Sequence, residues 1–112
     1  MHEAALTQGL VKILLSRTSE LGVDSVSRVT LKVGRLKAVE PHSLRFCFEM
    51  FVRDTVLEGA ELVIDTVEAR ATCLECSESF EVRRFCFRCP GCDSASLQLT
   101  QGEELFIESF EI

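Results

Sequence analysis

Leu6, Leu10, Ile13, Leu14 and Leu21 recur at three- and four-residue intervals. That spacing lays them along one stripe and predicts a helix over residues 3–21. Gly22 follows directly, where a left-handed residue commonly stops a helix. The period then changes to two: Val29, Leu31 and Val33 alternate with Arg28, Thr30 and Lys32, which predicts a half-buried strand over 26–33, ended by Gly34. Glu40-Pro41 opens a second helix, because proline suits the first helical turn. Leu44, Cys47, Phe48 and Phe51 form its expected apolar stripe. Gly59 marks a turn, and residues 60–67 predict a second strand.

Near Arg70 the pattern breaks. Residues 71–92 are rich in cysteine and poor in long aliphatics, with no helical period, so short strands and knuckles are expected. Phe85-Cys86-Phe87 reads as one of those strands. Strand character returns over 104–112. Leu105 and Ile107 point one way there, and Phe106, Phe110 and Ile112 the other, so this strand is expected to be covered on both faces at its start. The predicted fold class is α+β: a small mixed three-stranded sheet packed by two helices, with an inserted four-cysteine module resembling a zinc ribbon. Residues 1–69 plus 103–112 are expected to form an α/β domain, and residues 70–102 a metal-binding one.

Composition adds limits. The 112 residues are 46% hydrophobic and include eight Phe but neither Trp nor Tyr, enough for one modest core. The net charge is −6, which gives the chain no electrostatic hold on nucleic acid or an anionic membrane. The imbalance is concentrated: residues 1–70 hold 10 acids and 9 bases, residues 71–112 hold 8 and 3. Arg83, Arg84 and Arg88 make the one basic cluster, which could touch an acidic protein partner, although a solvated face is its simpler reading. The opening residues lack the basic region of a secretory signal. No apolar run approaches the roughly 18 residues needed to span a bilayer. A cytoplasmic protein is expected, as a monomer or weak homodimer.

Six cysteines in a reducing compartment argue for metal rather than disulfides. Cys73-Leu-Glu-Cys76 and Cys89-Pro-Gly-Cys92 are two C-x-x-C pairs. Each sits on a tight turn that lets two thiolates reach one ion, and two such turns supply a tetrahedron of soft ligands suited to structural Zn(II). Cys86-Phe-Arg-Cys89 is a competing pair, but Pro90-Gly91 makes the better turn, which leaves Cys86 spare. Cys47 reads as a small buried hydrophobe. A dithiol redox catalyst would carry one pair at a helix start, which this chain does not predict.

The amino terminus offers a second metal site. The Met1 amine, the His2 amide nitrogen and His2 Nδ1 can close around one ion in fused five- and six-membered rings. Such strong planar nitrogen donation suits Ni(II) or Cu(II). Glu3 can add its amide or carboxylate, and the bulk of His2 should protect Met1 from removal. His42, at the start of the second helix, reads as a surface or capping residue.

These pieces occur in a familiar order. Met1-His2-Glu3 runs into an amphipathic helix; then come Val-Thr-Leu-Lys-Val-Gly (29–34), Val-Glu-Pro (39–41), Ser-Leu-Arg-Phe-Cys-Phe-Glu (43–49), Glu-Gly-Ala-Glu-Leu (58–62), the two C-x-x-C pairs and an acidic final strand. The chain closely resembles the HypA/HybF family of hydrogenase-maturation nickel metallochaperones along essentially its whole length. The resemblance implies Ni(II) cargo on Met1, His2 and Glu3, and structural Zn(II) on Cys73, Cys76, Cys89 and Cys92. It further implies delivery with a HypB-type GTPase to the large subunit of [NiFe]-hydrogenase, or in some relatives to urease, by a carrier and not a catalyst. Arg35 after Gly34 and Asp93 after Cys92 depart from the family pattern, where a small or acidic residue and a glycine are frequent. A zinc-ribbon adaptor without a nickel site is the alternative reading.

Overall fold

The computed structural model describes residues 3–112. Its elements are helix α1 (Glu3–Leu21), strand β1 (Arg28–Gly34), a 3-10 turn (Arg35–Lys37), helix α2 (Pro41–Phe51), and strands β2 (Glu61–Val67), β3 (Arg70–Cys73), β4 (Ser79–Glu81), β5 (Leu97–Gln101) and β6 (Leu105–Glu111). They form two three-stranded sheets, ordered β2-β1-β6 and β4-β3-β5.

Two compact units result. The first takes in the chain through Lys32, Val39–Asp65 and Phe106–Ile112. In its sheet, Arg28 pairs with Glu61 and Lys32 with Asp65, both 33 residues apart. A constant offset means that β1 and β2 run parallel. Arg28 also pairs with Glu111, and Lys32 with Glu108. That separation shrinks along the strand, so β6 runs antiparallel and the sheet is mixed. The core holds Leu10, Val11 and Leu14 of α1, Val29 and Leu31 of β1, Leu44 and Phe48 of α2, and Leu57 and Leu62.

The buried face of α1 is rotated from the expected stripe. It consists of Thr7, Leu10, Val11, Leu14 and Thr18, while Ile13 and Leu21 are 55% and 59% exposed. Two threonines can face inward because their hydroxyls are satisfied locally. Thr7 Oγ1 donates to the Glu3 carbonyl at 2.6 Å and Thr18 Oγ1 to that of Leu15 at 3.1 Å, which removes most of the penalty of burying them. Gly22 is left-handed, as expected. In α2, Leu44 and Phe48 are buried but Cys47 is half-buried and Phe51 exposed. The α2 N-cap is Glu40, whose carboxylate accepts from the Ser43 amide at 2.6 Å; His42 is exposed.

The second unit takes in Val33–Ala38 and Thr66–Leu105. β3 is its central strand, antiparallel to both neighbours, with Ala71 opposite Phe80 on one side and Leu99 on the other. Strand β5 has no counterpart in the sequence reading. Ala69, Ala71 and Val82 form the core, covered by Leu36, Phe80 and Leu97. The segment 33–38 joins this unit through backbone contacts. The Gly34 amide donates to the Glu104 carbonyl and that of Leu36 to Gly102. A Cβ on Gly34 would lie 2.0 Å from the Gly102 carbonyl oxygen, so only glycine permits this crossing.

Two strand expectations fail. Phe85–Phe87 is not a strand: Arg84 and Phe85 are left-handed, with φ of 54° and 55°, and form a turn. β6 is an edge strand rather than a doubly covered one, and Phe106 is 48% exposed.

Candidate metal centre

β3 delivers Cys73 to its end, and the chain then turns twice in the same way. The Cys73 amide donates to the Glu78 carbonyl at 2.8 Å, while the Ser77 amide donates back to the Cys73 carbonyl at 3.0 Å. Sixteen residues later, the Cys89 amide donates to the Ser94 carbonyl at 2.9 Å and the Asp93 amide to the Cys89 carbonyl at 2.8 Å. Ser77 and Asp93 are both left-handed, at φ of 66° and 61°. In each knuckle the amide two residues on, of Glu75 or Gly91, points at the first sulfur from 3.4 Å. Cys76 adds a second amide to Cys73 Sγ at 3.5 Å. The first cysteine of each pair is buried and the second exposed.

The two knuckles face each other. Cys73 Sγ lies 3.5 Å from Cys92 Sγ, and Cys76 Sγ 3.5 Å from Cys89 Sγ. All four sulfurs lie within 4.8 Å of one another. A tetrahedron with Zn–S bonds of about 2.3 Å has sulfur–sulfur edges of about 3.8 Å. The donor set, its spacing and the amides aimed at sulfur therefore fit a structural zinc. Cys86 lies outside the group and is exposed, as the preferred pairing required, although the supposed strand that supported that preference is absent.

The thiols resist holding four negative charges unaided. The Cys76 amide, with that of Glu75, lowers the Cys73 pKa to about 7 despite desolvation. At Cys92 the Ser94 amide favours the thiolate, but hydrogen bonding to Cys73, burial and the other two sulfurs outweigh it and push the pKa up to about 12. Cys76 is also raised: the Glu78 amide opposes the shift, while Cys89, burial and Cys73 produce it. A divalent cation removes this conflict, which is why metal binding and thiol ionisation are linked.

Two features escaped the sequence reading. Glu78 places Oε2 3.8 Å from Cys89 Sγ, and a Cβ on Gly91 would stand 3.0 Å from that oxygen. The left-handed positions follow the first cysteine of each pair by four residues, a repeat that was available in the sequence. Glycine takes such a backbone freely and aspartate is among the few other residues that tolerate it, so Asp93 fits the turn. Arg35, the other departure, forks onto Glu68 at 2.7 and 3.2 Å. Of the amino-terminal trio, Met1 and His2 lie outside the described residues; Glu3 is half-buried in the first turn of α1.

Comparison with known proteins decides the family. A family model described as hydrogenase/urease nickel incorporation, metallochaperone, hypA matches residues 1–112. The chain belongs to the HypA family. It is 42% identical over 112 residues to hydrogenase maturation factor HypA of Acidithiobacillus ferrooxidans, covering 100% of this chain and 99% of that one. The HypA of Caldanaerobacter subterraneus is 39% identical over 113 residues with the same coverage. The solution structure of the Ni metallochaperone HypA from Helicobacter pylori superposes with a TM-score of 0.71 at 24% identity, covering 100% of this chain and 97% of that one. That likeness establishes the fold. Membership places the chain among nickel-incorporation metallochaperones of hydrogenase maturation, whose role implies contact with maturation machinery. No helix of the described residues is long and apolar enough to cross a membrane.

Proposed function

We propose that this chain carries Ni(II) at its own amino terminus, on the Met1 amine, the His2 amide nitrogen and His2 Nδ1, with Glu3 as a further donor. The zinc ligands are Cys73, Cys76, Cys89 and Cys92. The reading is carried by a full-length match to a nickel-incorporation family in a chain that begins Met1-His2-Glu3. Helix geometry supports it. Glu3 is the first described residue of α1, and amides of a first helical turn have no intrahelical acceptor. Loss of the Glu3 amide proton to a metal therefore breaks no helical hydrogen bond. A site at a chain end lets a recipient displace donors one at a time, which suits transfer. The recipient is the large subunit of [NiFe]-hydrogenase, reached with a HypB-type GTPase in the cytoplasm. The zinc knuckles brace a unit with a small core, and the chain catalyses nothing itself.

Nickel titration of three untagged proteins tests this: wild type, His2→Ala, and a variant with residues added before Met1. Wild type should bind one Ni(II) as a yellow, diamagnetic species, and the other two should not. Equal binding by all three sinks the terminal site. Zinc retention with no nickel uptake by wild type would instead favour a zinc-ribbon adaptor.

A further inference from the structure

Residues 83–88, Arg-Arg-Phe-Cys-Phe-Arg, are six consecutive exposed positions in the second unit. They carry all three bases of residues 71–112, against eight acids. Arg84 and Phe85 are both left-handed, an unfavourable state for residues other than glycine. The turn is closed by the Cys86 amide on the Arg83 carbonyl at 2.9 Å. This strained backbone does not serve to bury its rings. Phe85 is 55% and Phe87 42% exposed, and they meet edge to face with centroids 6.5 Å apart. Such a turn gives the isolated fold little in return, whereas a partner covering both rings would gain from it.

The charges are equally underused. Arg83 makes one long contact, to Glu81 at 3.4 Å, and lies within electrostatic range of Glu68. The Arg84 side chain makes no hydrogen bond or ion pair among the described residues. Arg88 rests on Asp93 at the turn's other end. Beside Arg83 and Arg84 opens a cavity of about 230 Å³, bordered by Leu36, Val82 and Phe85. Its rim also carries Arg35, Glu68 and Glu81; Arg35 is paired with Glu68 and Arg83 with Glu81, so Arg84 is the rim charge left without a partner among the described residues. Arginine and aromatic residues together are the side chains most enriched at protein interfaces. Three arginines among eight acids supply too little positive charge for a polyphosphate backbone, whereas a single guanidinium fork holds one carboxylate, so the fitting anion is a carboxylate on a short segment.

We propose that this turn docks an extended acidic segment of a partner protein. Its carboxylates lie on Arg83 and Arg84, and one apolar side chain covers Phe85 and enters the cavity. The inference does not depend on the amino-terminal nickel site.

The test is a titration of the full-length, zinc-loaded, ¹⁵N-labelled protein with acetyl-Asp-Glu-Leu-Phe-Glu-Asp-amide. Backbone shifts should concentrate at residues 82–88 and weaken as salt rises. Arg84→Glu and Phe85→Ala should each weaken binding by about tenfold, the scale of a moderate interface contact. Unchanged zinc content and spectral dispersion show that a variant is folded; if Phe85→Ala loses zinc, Arg84→Glu decides alone. The proposal is overturned by absent binding, by shifts centred elsewhere, or by equal binding of the same peptide with lysine in place of its acids. Tighter binding of an oligothymidylate would overturn it in favour of nucleic acid. Concentration-dependent shifts at 82–88 without peptide would overturn it in favour of a second copy of this chain.

Discussion

The Asp93 amide donates to the Cys89 carbonyl at 2.8 Å from a backbone at φ 61°. This bond closes the second knuckle and holds Cys89 and Cys92 on one side of the turn. A β-branched residue adopts that backbone poorly, at a cost of roughly 1–2 kcal/mol. Asp93→Val should therefore weaken zinc retention, while Asp93→Gly should leave it intact or improve it. Chelator-driven zinc release, followed with a colorimetric indicator, checks the order Asp93→Gly, wild type, Asp93→Val, slowest to fastest.

Gly34 meets a harder limit. The oxygen that its added Cβ would strike belongs to the Gly102 backbone, which cannot swing aside as a side chain can. Gly102 is pinned in turn, because its φ is 117° and a Cβ there would stand 2.7 Å from Ala69 Cα. Gly34→Ala should destabilise the protein by about 3 kcal/mol or more, at the upper end of overpacking effects. Thermal unfolding of the zinc-loaded protein measures this; a melting temperature within a degree or so of wild type would refute the crossing.

Zinc loading should release protons in a pattern set by the knuckles. At pH 8, Cys73, with a pKa of about 7, is already mostly thiolate. Cys76, raised above its ordinary value, and Cys92, pushed up to about 12, still hold theirs. Binding at pH 8 should therefore expel at least the two protons of Cys76 and Cys92. Calorimetric titration of zinc in buffers of different ionisation enthalpy counts them. A count below two would show that the metal-free thiols do not share charge in this way.

Glu40 links helix α2 to pH. The Ser43 amide lowers its carboxyl pKa below the ordinary range, against opposing desolvation. The folded value lies below the unfolded one, so the cap stabilises fully above the unfolded pKa. That contribution is lost as pH falls through the folded value. Glu40→Gln should lower the melting temperature at neutral pH, and the deficit should close below about pH 4. Acid also strips zinc, so the quantity to follow is the difference between variant and wild type at each pH, read by circular dichroism at the helix band. A deficit that stays constant down to acid pH would show that the charge plays no part.

The features legible in advance share a short range. Both helices, β1 and β2 follow from periods of 3.6 and 2 over one or two turns or a few strand residues. The stop at Gly22 and the cap region at Glu40-Pro41 are single-residue signals of the same kind. The features that failed are ones that hydrophobic periodicity does not register. The buried face of α1 includes Thr7 and Thr18, which no hydrophobic count selects. Phe85 and Phe87 look like strand residues, yet Arg84 and Phe85 take a left-handed turn. Strand β5, by contrast, does carry a local signal, since Leu97 and Leu99 alternate with Gln98 and Thr100, and Leu97 packs on the core of the second unit; that short run is easily overlooked beside the cysteines.

The sequence by itself determined the two C-x-x-C turns and the spare position of Cys86, because a knuckle is closed by amides within five residues of its first cysteine. It likewise put adjacent donors at Met1, His2 and Glu3, and the nickel site proposed above rests on that adjacency, since chelate rings of that size need only neighbouring residues. Tertiary structure alone decided that the knuckles face each other across sulfur contacts of 3.5 Å. It alone returned segment 33–38 to the second unit through the Gly34–Gly102 crossing and placed Glu78 against Cys89. Those contacts join residues up to about seventy positions apart, and their energy comes from close approach of backbones and side chains, which no local period encodes.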